Sequence, residues 1–319
     1  MDLVSVIIPC YNRAAYLREC LLSVASQSYP AIEVIVVDDA SHEDIQAVMR
    51  GITWPHSISP HYIRCDQNKG PGAARETGRL AARGEFICYL DADDLWHEDK
   101  VAVQVEALQE NPHAGMCYCI VKEFQTLPLT GEGPVRCLSD QVFTDFLPHL
   151  LQAKRQRPWG TGACMWTRSA TDQIGPWFPG RHWEDLEYDC RAGCHRIKIT
   201  YVPRALCFYR KGTGKGRLNE ERWQVRVVDQ TPAVLEIARD LHRFGQLKNA
   251  EILDSLIWFL FDHSTLLLKA NEKTLALQCL QQIASLQPSW INTYSRLVAF
   301  LPSQAAWASN RVLRKYFAG

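Results

Sequence analysis

A chain of 319 residues with 47% hydrophobic side chains can bury one large core, or a core plus a smaller module. Lysine plus arginine and aspartate plus glutamate balance at 35 each, which excludes a nucleic-acid-binding surface spread over the whole molecule but leaves room for local basic patches. No charged segment followed by an apolar one opens the chain, and the most apolar later run, Leu256 to Phe261, is too short to span a bilayer, so neither export nor a transmembrane helix is expected.

In chain order, Val4 to Ile8 reads as a strand ended by Pro9, after which Tyr16, Leu17, Cys20, Leu21, Val24 and Ala25 recur at helical spacing. Glu33 to Val37 is a second strand, and Asp38-Asp39-Ala40-Ser41 leads from it into another helix. Pro71 to Arg83 form a helix rich in alanine and arginine, and Phe86 to Leu90 a further strand. Such alternation predicts parallel βαβ units whose strands deliver polar residues at their carboxyl ends, where open α/β sheets bind ligands. The 12 cysteines, many in strand-like runs, are expected to be reduced and mostly buried. Their spacings, Cys117-x-Cys119 and Cys190-x₃-Cys194-His195, do not make the paired motif of a zinc site.

The strand at Phe86 to Leu90 runs straight into Asp91-Ala92-Asp93-Asp94. Carboxylates this close repel one another unless a counter-ion is supplied, and a hard divalent cation with oxygen ligands suits the end of a buried strand. The chain therefore reads as an enzyme that handles phosphates through a metal. A dinucleotide-binding turn is excluded: Pro9-Cys10-Tyr11-Asn12-Arg13 follows the first strand without a glycine, and Gly70-Pro71-Gly72-Ala73-Ala74-Arg75 has arginine at the third glycine position.

Past Gly216 only Gly245 and Gly319 remain as glycines, marking a change of architecture. Thr231-Pro232 reads as a helix start, with Val234, Leu235, Ala238, Leu241 and Phe244 on one face and Gly245 closing it. Further helices are predicted over Ile252 to Leu268, Lys273 to Leu286, Trp290 to Phe300 and Gln304 to Phe317. From Ser289 to Gly319 the chain carries Arg296, Arg311, Arg314 and Lys315 with no acidic residue, among Trp290, Tyr294, Phe300, Trp307, Tyr316 and Phe317. Two readings stand: a surface that touches anionic membrane, or a packed terminal helix with a solvated basic face.

Four blocks in order, Ser5 to Asn12, Val36 to Ser41, Asn68 to Arg75 and Leu90 to Asp94, resemble those of family 2 glycosyltransferases. Ala163 to Arg168, Ile174 to Phe178 and Trp183 to Asp189 resemble the acceptor-side half of the same family, so the likeness covers about residues 1 to 211. It implies a GT-A-type, Rossmann-like mixed α/β sheet flanked by helices over residues 1–217, divided into a nucleotide and metal half, 1–96, and an acceptor half, 97–217. Residues 218–319 are expected to form an all-helical C-terminal appendage.

By this resemblance Pro9, Tyr11, Asn12, Asp39, Lys69, Arg75, Asp91 and Ala92 bind a nucleoside-diphosphate sugar, UDP-sugar favoured, with Tyr11 against the base and Asp39 accepting from its imide edge. For Asp38 and Asp39 the alternative is capping of the next helix. Arg75, one turn into its helix, can fork onto a carboxylate or a diphosphate oxygen, or stand as a solvated charge. Asp91 and Asp93 project to one side of an extended segment. Asp93 is expected as direct ligand of Mn²⁺ or Mg²⁺, Asp91 as a sugar or water-mediated ligand, and Asp94 as a helix cap before Leu95-Trp96. The pair Glu184-Asp185 matches the family's catalytic acids, with Asp185 as general base of an inverting displacement, although both also suit the first turn of a helix.

The chain departs from the family after Leu206 to Arg210, where many relatives place a histidine and this sequence reads Lys211-Gly212-Thr213-Gly214-Lys215-Gly216-Arg217. Lys211, Lys215 or Arg217 is expected to replace that ligand from a mobile flap, unless the segment is a linker. The expected activity is metal-dependent glycosyl transfer to a glycan or lipid-linked acceptor, in the cytoplasm or at the inner membrane face, with no nucleic-acid partner. A nucleotidyltransferase and a catalytically silent nucleotide-sugar-binding scaffold are the alternatives.

Overall fold

The computed structural model describes residues 1–127, 135–137, 146–151, 159–212 and 221–286. Two compact units divide the chain, one of Met1–Phe146 with Gln156–Gly214, the other of Leu147–Arg155 with Lys215–Gly319. The elements of the first unit are β1 (Val4–Cys10), α1 (Ala14–Ala25), β2 (Ile32–Asp38), α2 (Ile45–Arg50), β3 (Ile58–Arg64), α3 (Pro71–Ala81), β4 (Phe86–Tyr89), β5 (Leu95–Trp96), α4 (Lys100–Glu110), β6 (Met116–Phe124) and β7 (Val135–Cys137). After α5 (Leu147–Leu151), which belongs to the second unit, follow β8 (Cys164–Thr167), α6 (Arg168–Ile174), α7 (Glu184–Cys194) and β9 (Ile199–Arg210).

All nine strands join one mixed sheet in the order β3-β2-β1-β4-β8-β6-β9-β5, with β7 on β6. The pairs β1/β2, β2/β3, β1/β4 and β6/β9 are parallel, and β8 runs antiparallel to both β4 and β6. Along β1 the pleat sends Val4, Val6, Ile8 and Cys10 into a core with Leu17, Cys20, Leu21 and Val24 of α1 and Val101, Val105 and Leu108 of α4. The opposite face meets α3, where Gly78 permits contact: a Cβ there would lie 2.3 Å from Ile7 Cγ2. Burial on both faces makes β1 and β2 read as nearly continuous apolar runs, with the buried Ser5 donating to the buried Glu33 at 2.6 Å between them. In β1–β2 register Cys10 lies opposite Asp38, and β4 ends opposite Ile7, so the three carboxyl ends open on one edge.

Four details correct the sequence reading. Pro9 lies inside β1 rather than ending the strand. Ile7 O accepts from Leu90 N, so Pro9, two residues on, faces the same neighbour past the end of β4, where its missing N–H breaks no ladder bond. Leu95 and Trp96 form a strand against Phe208 and Cys207, not a helix, so Asp94 is no helix cap; α4 starts only at Lys100. Asp38 and Asp39 do not cap α2, because Asp44 does so, accepting from Ala47 N. In the second unit α8 (Trp223–Arg243) begins eight residues before the predicted start and carries Pro232 inside it, its buried face running from Val227 through Thr231 and Val234 to Leu241. That continuous face keeps the helix intact across the bond the proline removes.

Helices α9 (Ala250–Lys269) and α10 (Lys273–Leu286) complete the described part of the second unit, with α9 capped by Asn249. Among the described residues no helix is long and apolar enough to cross a membrane. The helices predicted over 290–300 and 304–317, with the basic aromatic stretch from Ser289, lie outside the described residues.

Candidate active site

The edge where β1, β2 and β4 end is laced by loop-to-loop hydrogen bonds. Asn12, whose φ of 50° asparagine tolerates better than most residues, donates its N–H to Ser41 Oγ at 3.0 Å and accepts from His42 N at 2.7 Å. Tyr11 beside it is 43% exposed, its ring 6.4 Å from that of His42. Asp38 is fully buried and accepts from Ser41 N, Tyr62 Oη and Arg64 Nη1. Burial acts upward on its carboxyl, but these donors, Ser41 and Tyr62 foremost, hold it below the usual range. Its neighbour Asp39 accepts from Lys69 N at 2.9 Å and Gly70 N at 2.8 Å, while burial pushes its carboxyl up. Asp39, Arg64, Cys65, Asp66, Gln67, Lys69, Ala73 and Thr77 line a cavity of about 360 Å³.

The segment after β4 folds as a tight turn, Asp94 N donating to Asp91 O at 3.0 Å around the buried Ala92. Arg210, at the end of β9 and 4% exposed, anchors it: its N–H reaches Asp94 Oδ1 and its Nε reaches Asp93 O, both at 2.9 Å. The same guanidinium reaches Glu19 and lies over the rings of Tyr16 and Phe124. Nothing but an arginine closing an apolar strand marked this role in the sequence. The turn brings the carboxylates of Asp91 and Asp93, oxygen donors of the kind a hard divalent cation takes, to the end of β4, with one oxygen of Asp91 drawn to an arginine.

That arginine is Arg75. Only 3% exposed, it spans two segments distant in sequence, donating from Nη2 to Asp91 Oδ1 at 2.7 Å and from Nη1 to Glu184 Oε1 at 2.6 Å. Its Cζ lies 4.9 Å from the centre of the Trp177 ring. Of its expected partners the structure places carboxylates, and the reading as a solvated helix charge is overturned. Arg75 thus links the acidic turn to the start of α7, where Glu184 is buried and Asp185 half-buried. Burial, then Asp185, push the Glu184 carboxyl up to about 7 against the pull of Arg75. Asp185 accepts from Leu186 N at 2.8 Å and from Thr161 Oγ1 at 3.4 Å.

The close approach of α3 to the segment before α7 depends on Gly72. A Cβ there would come within 2.0 Å of Phe178 O and 3.1 Å of Glu184 Cβ. Gly72→Ala is accordingly expected to destabilise the fold by about 1–3 kcal/mol, as overpacking does, with a urea midpoint equal to wild type as the contrary result.

Of the predicted cationic flap, Lys211 pairs with Glu123 at 2.7 Å, while Lys215 and Arg217 lie outside the described residues. Pro9 lies in β1, and Lys69 meets Asp39 through its backbone N–H. Tyr62, Arg64 and Thr161 escaped the sequence reading, being single polar or aromatic residues outside any block, while Trp177 and Arg210 stood inside quoted segments without being singled out.

The family model "Glycosyl transferase family 2" matches residues 5–175. Among curated proteins, EpsH of Bacillus subtilis, which carries a glycosyltransferase name, is 28% identical over 221 residues, covering 65% of this chain and 60% of its own. An uncharacterised glycosyltransferase of Haemophilus influenzae is 33% identical over 123 residues, 37% of this chain and 49% of that one, and one of Rickettsia conorii 36% over 108 residues, 34% and 17%. The match thus spans half or less of those last two relatives. Among solved structures, Staphylococcus aureus TarS 1–349 in complex with UDP superposes with a TM-score of 0.67 at 19% identity, over 97% of this chain and 88% of its own. The mannosyltransferase PcManGT of Pyrobaculum calidifontis, in complex with GDP-Man and Mn²⁺, gives 0.57 at 18%, over 97% and 84%. At these identities the likeness establishes the fold.

Proposed function

The chain belongs to glycosyl transferase family 2, and from that premise we propose that it moves a sugar from a UDP-sugar to a hydroxyl of a glycan or lipid-linked acceptor, with inversion and with help from a divalent cation. The observation that carries the reading is the buried guanidinium of Arg75, which joins Asp91 of the acidic turn to Glu184 beside Asp185. Such a link holds a leaving-group site and a proton acceptor in fixed relation, which is what a displacement at an anomeric carbon requires.

Tyr11 and the cavity beside Asp39 are assigned the base, with the open lone pairs of Asp39 left for an imide N–H. Asp93, with Asp91, would hold Mn²⁺ or Mg²⁺, the hard cations that such oxygen donors suit. When bound, that ion neutralises the departing diphosphate, so no acid is needed at the leaving oxygen. Asp185 takes the acceptor's hydroxyl proton as the new C1–O bond forms and the bond from C1 to the diphosphate breaks. The proton ends on Asp185 and the electron pair of the broken bond on the nucleoside diphosphate. Arg75 contributes by fixing Asp91 and Glu184, both Nη groups being engaged there.

Calorimetry with UDP, GDP and dTDP, with and without Mn²⁺, tests the donor half. UDP is expected to bind in a Mn²⁺-dependent manner, and Asp93→Ala to weaken that binding by more than the about 10–100-fold typical of disturbing outer-shell partners of a metal. Equal UDP affinity without metal, or in the variant, would overturn the assignment of Asp93.

A further inference from the structure

We infer that Thr161 is a positioning residue that aims the carboxylate of Asp185, an inference that rests on the proposed role of Asp185 as general base. Thr161 opens the single turn Thr161–Ala163, immediately before β8. Its Oγ1 donates to Asp185 Oδ2 at 3.4 Å, while Asp185 Oδ1 accepts from Leu186 N at 2.8 Å. With Leu186 N on one oxygen and Thr161 Oγ1 on the other, these two donors restrain the rotation of the carboxylate. A hydroxyl suits the task because it accepts as well as donates, and can keep its bond once Asp185 has taken a proton.

Two further observations indicate a built arrangement. The turn is pinned from beneath by buried donors: Trp96 Nε1 to Gly162 O and Gln104 Nε2 to Ala163 O, both at 2.8 Å, with Cys119 Sγ to Ala163 O and Cys164 Sγ to Gly160 O at 3.6 Å. A Cβ on Gly162 would lie 3.2 Å from Cys207 Sγ and 3.5 Å from Leu90 Cδ1, so the turn rests directly on the residue that precedes Asp91. Independently, Trp159, 1% exposed, donates from Nε1 to Asp189 Oδ2 at 3.0 Å. Asp185 and Asp189 stand four residues apart on α7, on one face of the helix. The segment from Trp159 to Thr161 is therefore fastened twice to that face, once at the buried Asp189 and once at Asp185.

The test compares wild type with Thr161→Val, Thr161→Ser, Asp185→Asn and the Val/Asn double variant. Steady-state release of UDP from UDP-glucose and UDP-N-acetylglucosamine, with water as acceptor, is read beside UDP calorimetry. Thr161→Val is expected to lower kcat about tenfold, a fraction of the 10²–10⁴-fold that a positioned base supplies, with KM for the donor and UDP affinity within twofold of wild type. Thr161→Ser should restore kcat, and the double variant should be no slower than Asp185→Asn alone. Wild-type kcat in Thr161→Val, equal losses in Val and Ser, or additive losses in the double variant would overturn the inference while leaving Asp185 in its role. Unchanged kcat in Asp185→Asn, or no UDP release by wild type from either donor, would overturn the base assignment and the inference with it.

Discussion

Asp185→Asn should lower glycosyl transfer by about 10²–10⁴-fold, the contribution of a positioned general base, and leave Mn²⁺-dependent UDP binding as it was. Asparagine retains the shape and one acceptor oxygen, so the bond from Leu186 N can persist and the fold with it. What is lost is the basic oxygen on which an acceptor proton must end. Because Asp185 is half-buried at the first turn of α7 and hydrogen-bonds Thr161 rather than Arg75, the bond from Arg75 to Glu184 can persist, while loss of the Asp185 charge relieves part of the upward push on the Glu184 carboxyl. Single-turnover transfer alongside UDP calorimetry separates the outcomes. Transfer at the wild-type rate would remove Asp185 from the mechanism, and loss of UDP binding would turn it into a donor-site residue.

The largest effect on stability is expected at Arg75. Arg75→Met retains much of the packing against Trp177 but leaves Glu184, 6% exposed, without its cation, and unpairing one member of a buried ion pair costs about 3–5 kcal/mol. The sign of its pH dependence follows from Glu184. Its carboxyl, ordinarily near 4.5, stands at about 7 in the fold, so the stabilisation it gives is complete below the ordinary value and is lost as pH rises through the folded one. Arg75 opposes that upward shift, and without it the shift should grow. Urea unfolding of the variant should therefore show a larger deficit at about pH 8 than at about pH 5, where Glu184 takes up a proton. Adding Glu184→Gln should recover part of the loss, because it removes the stranded charge. A deficit independent of pH would mean that Glu184 is not the group left unpaired.

Legibility in the sequence followed the range of the forces involved. The runs Val4 to Ile8 and Glu33 to Val37 announced themselves because burial on both faces demands nearly continuous apolar residues, and the parallel βαβ units were legible from their alternation with helical spacing, whereas the mixed character of the sheet came only from the family resemblance. The acidic run after β4 was visible because like charges so close are costly unless used. Hidden were features decided by a neighbour's end or by distant partners. Pro9 is tolerated only because β4 stops short, Leu95-Trp96 is a strand only because Phe208 and Cys207 lie beside it, and Pro232 is absorbed by a face continuous on both sides. Strand β3, Ile58–Arg64, sits at the sheet edge with Pro60 within it, and its half-exposed pattern carries little apolar signal. The partners of Arg75 could be narrowed to carboxylates or phosphates by its chemistry, but the burial that rules out a solvated charge is a property of the assembled fold.

Arg210 sets the order in which this site can come into being. Asp94 and Arg210 are 116 positions apart, and the anchor of the acidic turn is among the last parts of the first unit to be synthesised. At 5–20 residues per second that separation corresponds to roughly 6–23 s of translation. Throughout that interval a nascent chain carries its acidic turn without the backbone donor that later reaches the Asp94 carboxylate or the guanidinium that later reaches Asp93 O, and with β5 lacking its partner strand. A fragment ending after Trp96 would remain permanently in that state, with β4 lacking β8 as well. Residues 1–96 are therefore not a portable module, because β4 and β5 take partner strands that come later in the chain.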